Sequence, residues 1–298
     1  MDRLLALQCF CRVVETGGFA AAARDLDISS SMVTKYIRHL EEWTGSRLLA
    51  RTTRRMQLTE AGERFYAYCR RVLGDTESTL GAIRAARGEL SGRLVLAVPV
   101  SLTLSFLKDH LHDFQAAHPG IELELRLSDR PVDLVRDGID VALRGQARLD
   151  DSSLVAVPLM VLQRAVAAAP DYWRQYGKPD HPSGLAAHNC LPYLLGSDST
   201  RWQFDGPDGP QTVEVRGNFR ADNSLMLIDA MLRGVGVGLA PRVMMRTEIA
   251  EGRLETALDD WLAEPRKVFA IYPSREHLPE RVHTLLRFLK ERLAEADG

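Results

Sequence analysis

The sequence has little cysteine and no long apolar run, and each absence excludes a class of protein. Its 298 residues include four cysteines, and no zinc spacing or disulfide framework can be assembled from Cys9, Cys11, Cys69 and Cys190. We therefore expect buried free thiols in a reducing compartment. No apolar run approaches the roughly 18 residues of a membrane-spanning helix, and the first residues lack a signal peptide's apolar core. These features predict a cytoplasmic protein with no membrane partner.

The sequence also lacks recognisable catalytic and metal-binding motifs. The GxGxG of Gly234, Gly236 and Gly238 follows a predicted helix and enters a strand, which reverses the order found in a dinucleotide-binding loop. His188 and Cys190 are close in sequence, but no third group or oxyanion motif accompanies them. We therefore predict that the chain is not an enzyme and has no cofactor and no metal site.

Charge is unevenly distributed, although the formal net charge of the chain is only −2 at pH 7. Residues 32–71 contain more Lys and Arg than Asp and Glu, whereas residues 91–298 contain more Asp and Glu. A basic segment on an acidic body indicates a local polyanionic partner. The chain is also long enough for two or three domains with sizeable cores.

The N-terminal segment has the pattern of a helix-turn-helix. Asp2 can cap a first helix that ends at Gly17-Gly18. In "FAAAARDLDI", Ala23 is small where a second helix must cross closely, and Asp27 tolerates the left-handed conformation of a tight turn. The wedge between the two helices would be filled by Leu26, Ile28 and Val33.

The helix that follows, in "DISSSMVTKYIRHLEE", is predicted to meet nucleic acid. Small hydroxyls at its start satisfy orphan amides, and the positive end of the helix dipole attracts phosphate. If Val33, Ile37 and Leu40 face inward, cations face outward, where they can reach bases and phosphates. By itself the pattern also fits a capped surface helix with incidental charge. The predicted DNA-contacting residues are Ser29, Ser30, Ser31, Thr34, Lys35 and Arg38.

A basic hairpin is predicted next, in "GSRLLARTTRRMQLTEAG". Apolar residues lie on both sides of "ARTTRR", as in a two-stranded wing. We expect Arg51, Arg54 and Arg55 at its tip to contact phosphates or the minor groove.

A long helix should connect the two halves of the chain. Thr59 can cap it, and about 28 residues would form a rod on the order of 40 Å long. Its apolar residues recur at spacings of three and four, which is typical of a coiled-coil seam. Such a seam can pack on its own domain, but a rod between two domains more plausibly packs on a second copy. The predicted dimerisation residues are Phe65, Cys69, Val72, Leu80 and Ile83.

From Ser91 onward, strands alternate with helices, which predicts an α/β unit with a mainly parallel sheet. Strands are expected in "RLVLAVP", "IELELRL" and "IDVALR", with helices over 102–117 and around 131–137. The chain should leave this first unit near "LMVLQRAVAAAP". A second unit would hold a hairpin at "FDGPDGPQ" and a helix over 224–233, and "KVFAIYP" and a final helix over 279–295 would return to the first.

These motifs carry a family resemblance that covers nearly the whole chain. LysR-type transcriptional regulators have a winged helix-turn-helix that is similar, without a gap, to "FAAAARDLDISSSMVTKYIRHLEEWTGSRLLARTTRRMQLTEAG". The segments "LVRDGIDVALRGQARLDDSSLVAVPL" and "FAIYPSREHLPERV" resemble the CrgA-like subgroup. The chain departs from the family at Ser30-Ser31, usually Gln-Pro, so operator preference does not carry over. Thr34, usually Ser, keeps the hydroxyl.

The resemblance implies a fold and its boundaries. It implies a winged helix-turn-helix, all-α with a small β wing, then a linker helix, then a two-lobed effector domain of the type 2 periplasmic-binding-protein fold. The implied boundaries are 1–58 for the DNA-binding domain, 59–90 for the dimerisation helix and 91–298 for the effector domain. Lobe I would comprise 91–162 and 267–298, and lobe II 163–266.

The resemblance also implies the partners and a ligand site. The partners are double-stranded DNA with dyad symmetry, further copies of the chain as dimer, tetramer or octamer, RNA polymerase, and a small-molecule effector. Hydroxyls and amides at helix N-termini suit an anionic effector, although each can equally be a simple cap. The rival interpretation is a solute-binding or enzymatic α/β domain fused to a DNA-binding module. The implied effector-binding residues are Ser101, Thr103, Arg144, Asn223 and Ser224.

Overall fold

The computed structural model describes residues 2–51, 56–85, 90–134, 136–146, 154–195, 199–207, 209–273 and 278–294. The described residues form a helical N-terminal unit with a small two-stranded sheet, a long helix, and a C-terminal α/β unit with one ten-stranded sheet. No single helix of this part of the chain is long and apolar enough to cross a membrane. The bent pair Arg3–Thr16 and Phe19–Asp25 passes that test only together, by length and composition.

The N-terminal unit packs three helices against the start of a fourth. Asp2 accepts hydrogen bonds from the amides of Leu4 and Leu5, which begins the first helix, and Gly17 ends it with a φ of 73°. The elements are α1 (Arg3–Thr16), α2 (Phe19–Asp25), α3 (Ser30–Thr44), β1 (Leu49–Arg51), β2 (Met56–Leu58) and α4 (Glu60–Ala85).

The turn between α2 and α3 follows the sequence prediction. Asp27 has a φ of 51°, Ala23 is buried where the helices cross, and Val33 is fully buried beside it. Leu26 and Ile28 are half-buried against the same core. These small and branched residues hold α3 against α1 and α2 and thereby fix which face of α3 reaches solvent.

The start of α4 is held against the wing. The Thr59 hydroxyl accepts the amide of Gly62 at 3.0 Å and donates to the Arg47 carbonyl at 2.7 Å. A Cβ added at Gly62 would lie 2.1 Å from the Leu48 carbonyl oxygen, so this helix can approach β1 only with glycine there. The described part of α4 has 26 residues.

The C-terminal unit is built on a single curled sheet. Its strands are β3 (Gly92–Val98), β4 (Ile121–Leu127), β5 (Val141–Gln146), β6 (Val155–Ala168), β7 (Cys190–Leu191), β8 (Arg201–Gly206), β9 (Gly209–Glu214), β10 (Val237–Pro241), β11 (Glu255–Ala257) and β12 (Leu262–Tyr272). Its helices are α5 (Val100–Leu102), α6 (Lys108–Ala117), α7 (Pro170–Tyr176), α8 (Ser224–Leu232), α9 (Arg246–Ala250) and α10 (Glu280–Ala294), with a π-helical turn at Thr103–Leu107 and 3-10 turns at Pro182–Ala187 and Arg242–Met245.

The long strands β6 and β12 connect two lobes. The main strand order is β4-β3-β5-β12-β6-β10-β7, and β6 and β12 are neighbours that run antiparallel. One end of the pair lies beside β5 and the other beside β8, β10 and β11. The chain therefore crosses from a lobe whose main core lies under α6 and α10 to a lobe with two cores, one under α7 and one under α8.

Two expectations for this unit need correction. The sheet is mixed, because β3 is parallel to β4 and β5 but β12 is antiparallel to both β5 and β6. The predicted helix around 131–137 is absent from the described residues there, which form turns. Pro131 precedes them, the Asp133 carboxylate accepts the amide of Arg136 at 3.0 Å, and Gly138 has a φ of 66°. These local bonds compete with a helix over so short a segment.

Candidate DNA-binding and ligand-binding sites

The third helix presents one polar face to solvent. Val33, Tyr36, Ile37 and Leu40 are buried, which leaves the opposite face free. From Ser29 to Arg38, the exposed residues are Ser29, Ser30, Ser31, Met32, Thr34, Lys35 and Arg38. The face therefore contains every DNA-contacting residue that the sequence predicted on this helix. It also contains Met32, which sequence reasoning missed because its spacing matched neither the polar nor the core pattern.

The start of this face is held in place by local hydrogen bonds. The Ser29 hydroxyl accepts the amide of Met32 at 3.2 Å and lies 2.9 Å from the Ser31 hydroxyl. Thr34 donates its hydroxyl to the Ser30 carbonyl at 2.9 Å, which leaves its oxygen lone pairs available as acceptors. Arg38 pairs with Glu42 at 2.8 Å, and both side chains are largely exposed. Such a pair is weak in water, so Arg38 can exchange Glu42 for a phosphate.

The wing is anchored to the same helix through Glu41. Its carboxylate accepts the amides of Leu48 and Leu49 at 2.9 and 3.3 Å, where β1 begins. Arg51 is the last residue of β1. The other two predicted wing contacts, Arg54 and Arg55, lie outside the described residues.

The predicted seam of α4 divides into two parts. Phe65 and Val72 pack partly against the core of the N-terminal unit. Leu80 and Ile83 are 47% and 52% exposed. Cys69 requires a correction, because it is fully buried in its own chain, in the same core as Cys11 of α1. The first half of the seam packs within the chain, as the alternative interpretation held, and only the second half is open.

A cavity of about 120 Å³ lies between the two lobes. Of the five predicted effector-binding residues, Ser101, Arg144 and Ser224 line it, whereas Thr103 and Asn223 do not. Thr103 is buried and donates its hydroxyl to the Pro99 carbonyl at 2.6 Å. Asn223 accepts the amides of Leu225 and Met226 with its side-chain oxygen. Thr103 bonds back to the backbone of its own helical turn, and Asn223 caps α8, which corrects their assignment to the ligand site.

The ends of the two lobes are joined by hydrogen bonds across the cavity. The Ser101 hydroxyl, which belongs to lobe I, accepts the amide of Ser224 at 3.1 Å. Asp129 accepts the amide of Val100 at 2.9 Å and the side-chain amide of Asn223 at 3.1 Å. A carboxylate of the chain itself therefore occupies the place between helix N-termini where the sequence predicted an anionic ligand.

Three arginines line the same cavity. Arg144 donates to the carbonyls of Ser128 and Arg130 at 2.7 and 2.9 Å, and burial lowers its pKa. Burial, and after it the neighbouring Arg266, lowers the pKa of Arg164 to about 10. Sequence reasoning missed Arg164 and Arg266 because they lie in different strands, 102 positions apart (266 − 164), and nothing in either segment indicates that they meet.

A larger cavity of about 620 Å³ separates the N-terminal unit from the effector unit. At its edge Glu15 of α1 is paired with Arg12 at 3.0 Å and Arg70 at 3.2 Å. Tyr66 donates its hydroxyl to Glu15 at 3.2 Å and lies 3.4 Å from the Arg136 carbonyl of the effector unit. Burial, and after it Glu15, raises the pKa of Tyr66. This polar cluster joins the two units.

The protein has a winged helix-turn-helix with an exposed basic helix, and a long helix joins it to a two-lobed α/β unit that encloses a cavity. This arrangement defines a DNA-binding regulator with an effector domain. Family models match both halves. Residues 4–63 match the bacterial regulatory helix-turn-helix protein of the lysR family, and residues 87–294 match the LysR substrate binding domain. The chain belongs to the LysR-type transcriptional regulators, a family of regulators and not of enzymes.

Curated relatives and solved structures agree with this assignment over nearly the whole chain. The transcriptional regulator PtxR of Pseudomonas aeruginosa is 35% identical over 292 residues, covering 96% of this chain and 92% of that protein. YhjC of Escherichia coli is 33% identical over 291 residues, covering 97% of each. Full-length AphB of Vibrio cholerae and CrgA of Neisseria meningitidis are 30% and 29% identical, with TM-scores of 0.60 and 0.63, and each alignment covers 97% of this chain and 98% of the other. The predictions of family and fold class are confirmed.

Proposed function

We propose that this regulator binds an operator with dyad symmetry as a homo-oligomer, and that a small molecule between the lobes changes that binding. Its place of action is the cytoplasm, where its DNA target is accessible. RNA polymerase is the machinery on which a bound oligomer acts.

The observation that carries the proposal is the exposed face of α3. Its cations, Lys35 and Arg38, lie beside a hydroxyl-rich helix start, and the apolar residues on the other side are buried. A helix of this kind fits the major groove, where side chains reach base edges and the helix N-terminus meets phosphate. The wing arginines, Arg51, Arg54 and Arg55, would contact the flanking backbone.

The oligomer is supported by the second half of α4. Leu80 and Ile83 expose apolar surface on a helix that extends from the N-terminal unit. Packing this surface on a second α4 would remove it from water and place two α3 helices on the two half-sites of a dyad. One copy supplies one reading helix, so a two-fold operator requires at least a dimer.

The regulatory step is supported by the bonds that close the lobes. Ser101 with Ser224, and Asp129 with Asn223, hold the lobes together across the cavity. A ligand that contacts both lobes shifts the balance between closed and open forms in proportion to its preference for one of them. Coupling to DNA then follows from the altered spacing of the effector units in the oligomer.

Binding to operator DNA selected from random sequence tests the proposal. Lys35→Ala and Arg38→Ala should each weaken operator binding by about 1–3 kcal/mol where the side chain reads a base, with an unchanged circular dichroism spectrum. Lys290→Ala, at an exposed position in α10, is the matched control and should bind normally. Unchanged affinity for the operator in both α3 variants would show that these α3 side chains do not contact DNA.

A further inference from the structure

Two arginines lie side by side on the floor of the inter-lobe cavity. Arg164 of β6 is opposite Ala263 of β12, and Arg266 is opposite Leu162. The register shifts between these two pairs, and such an irregularity re-aims the side chains next to it. Both arginines line the cavity. They come from the crossover strands, not from the helix N-termini that the sequence indicated.

Burial, and after it Arg266, lowers the pKa of Arg164 more than the nearby Glu264 raises it, so the described residues do not fully neutralise this pair. No ion pair within 4.0 Å joins Arg164 or Arg266 to a described carboxylate. Arg164 donates its Nε to the backbone carbonyl of Glu264 at 2.6 Å, and Arg266 lies over the Tyr193 ring, 5.9 Å from its centroid. Both arginines are half-buried, so the two guanidiniums are only partly screened by water and repel each other, and an anion between them removes that repulsion.

The other polar groups of the cavity leave room for such an anion. Among the described lining residues Asp129 is the one carboxylate, and its two oxygens are already bonded to Val100 and Asn223. The hydroxyl of Tyr193, which also lines the cavity, has no hydrogen-bond partner within the described part of the chain. It can donate to an acid group that the arginines hold.

The remaining wall of the cavity is apolar. Leu102, Leu162, Leu227, Leu239 and Met244 line it. Its volume of about 120 Å³ lies well below the roughly 300–1,000 Å³ of pockets for drug-sized ligands. The occupant is therefore small, with a charged end and a compact apolar body.

We propose that Arg164 and Arg266 together bind the acid group of a small organic acid whose apolar body packs against Leu102, Leu227 and Met244. Planar guanidiniums match a carboxylate by paired hydrogen bonds, which gives direction as well as charge. This inference rests on the proposed regulatory function and names the chemical class of its effector. It makes the two arginines the residues that distinguish an acid from its neutral analogue.

Thermal unfolding of the full-length protein with paired probes tests this assignment. The probes are short-chain carboxylates from acetate to hexanoate, benzoate and phenylacetate, each compared with its neutral amide, and sulfate serves as a bare anion. We expect at least one carboxylate with an apolar body to raise the melting temperature, with no rise from its amide or from sulfate. Arg164→Gln and Arg266→Gln should weaken its binding by about ten- to hundredfold, as expected for the loss of a charged hydrogen bond.

Two further measurements keep the result decisive. Arg216→Gln, at an exposed arginine outside the cavity, is the matched control and should keep the full response. Without ligand, Arg164→Gln should melt at the same temperature as the parent or higher, because one of two repelling charges is gone. No response to any carboxylate, equal responses to acids and amides, or an undiminished response in both variants would each overturn the proposal.

Operator binding, measured on the same variants, tests the regulatory function separately, because the probes can bind a chain that fails to recognise DNA.

Discussion

Replacing Glu15 with Gln should destabilise the N-terminal unit by about 2–3 kcal/mol. The Glu15 side chain is only 13% exposed, and its carboxylate faces Arg12, Arg70 and the Tyr66 hydroxyl. Arg12 keeps a second partner, Asp25, at 2.8 Å, so the loss falls chiefly on the other two contacts. Hydrogen bonds to charged groups contribute about 1.5–3 kcal/mol each. We take the lower end because Arg70 is still 31% exposed and water screens its charge.

The matched control is Glu42→Gln. Glu42 and Arg38 are 2.8 Å apart, a distance similar to those around Glu15, but their side chains are 58% and 80% exposed. Pairs of this kind on a helix surface are worth about 0.3–0.5 kcal/mol. The two variants make the same chemical change at sites that differ in burial and in the number of partners, so the buried cluster should produce a difference of about 2 kcal/mol.

Thermal unfolding followed by far-ultraviolet circular dichroism measures this difference. A loss of 1 kcal/mol lowers the melting temperature of a unit of 60–100 residues by roughly 4–8 °C, so a loss of about 2–3 kcal/mol in Glu15→Gln should lower the transition by at least about 8 °C. Because the two units can unfold separately, the transition that moves is the one of the N-terminal unit. Equal, small shifts in both variants would show that the Glu15 cluster is hydrated in solution and does not stabilise the N-terminal unit.

Two further changes test the seam and the closure of the lobes. Leu80→Asp and, separately, Ile83→Asp should dissociate the oligomer in sedimentation velocity, because each buries an unpaired charge between chains. Ala67→Asp, at an exposed position on the other side of α4, should leave the oligomer intact. An intact oligomer in both seam variants would show that the contact between chains lies elsewhere. Ser101→Ala should lower the urea stability of the effector unit by about 1–3 kcal/mol, because it leaves the Ser224 amide without its acceptor. Ser105→Ala, which removes only a donor to an α5 carbonyl, should have a smaller effect, and equal effects would contradict the closure.

The sequence by itself determined the N-terminal unit almost completely. Its helices, the left-handed Asp27 and the exposed face of α3 all follow from contacts between residues close in the chain, such as Asp2 with Leu4 and Ser29 with Met32. Local spacing, caps and turn chemistry record such contacts directly. The family resemblance was readable for the same reason, because its motifs are contiguous.

Only the tertiary structure decided which parts of these patterns face a partner and which residues give the cavity its positive charge. Cys69 and Leu80 both fit the apolar spacing of the seam in α4. In the structure α1 covers Cys69, whereas Leu80 stays exposed. Ser101 and Asn223 looked like free helix ends until Ser224 and Asp129 were found bonded to them. Arg164 and Arg266 meet because β6 and β12 cross between the lobes with a shifted register. The pairing of strands far apart in sequence is set by burial across the whole sheet, and no local pattern encodes it.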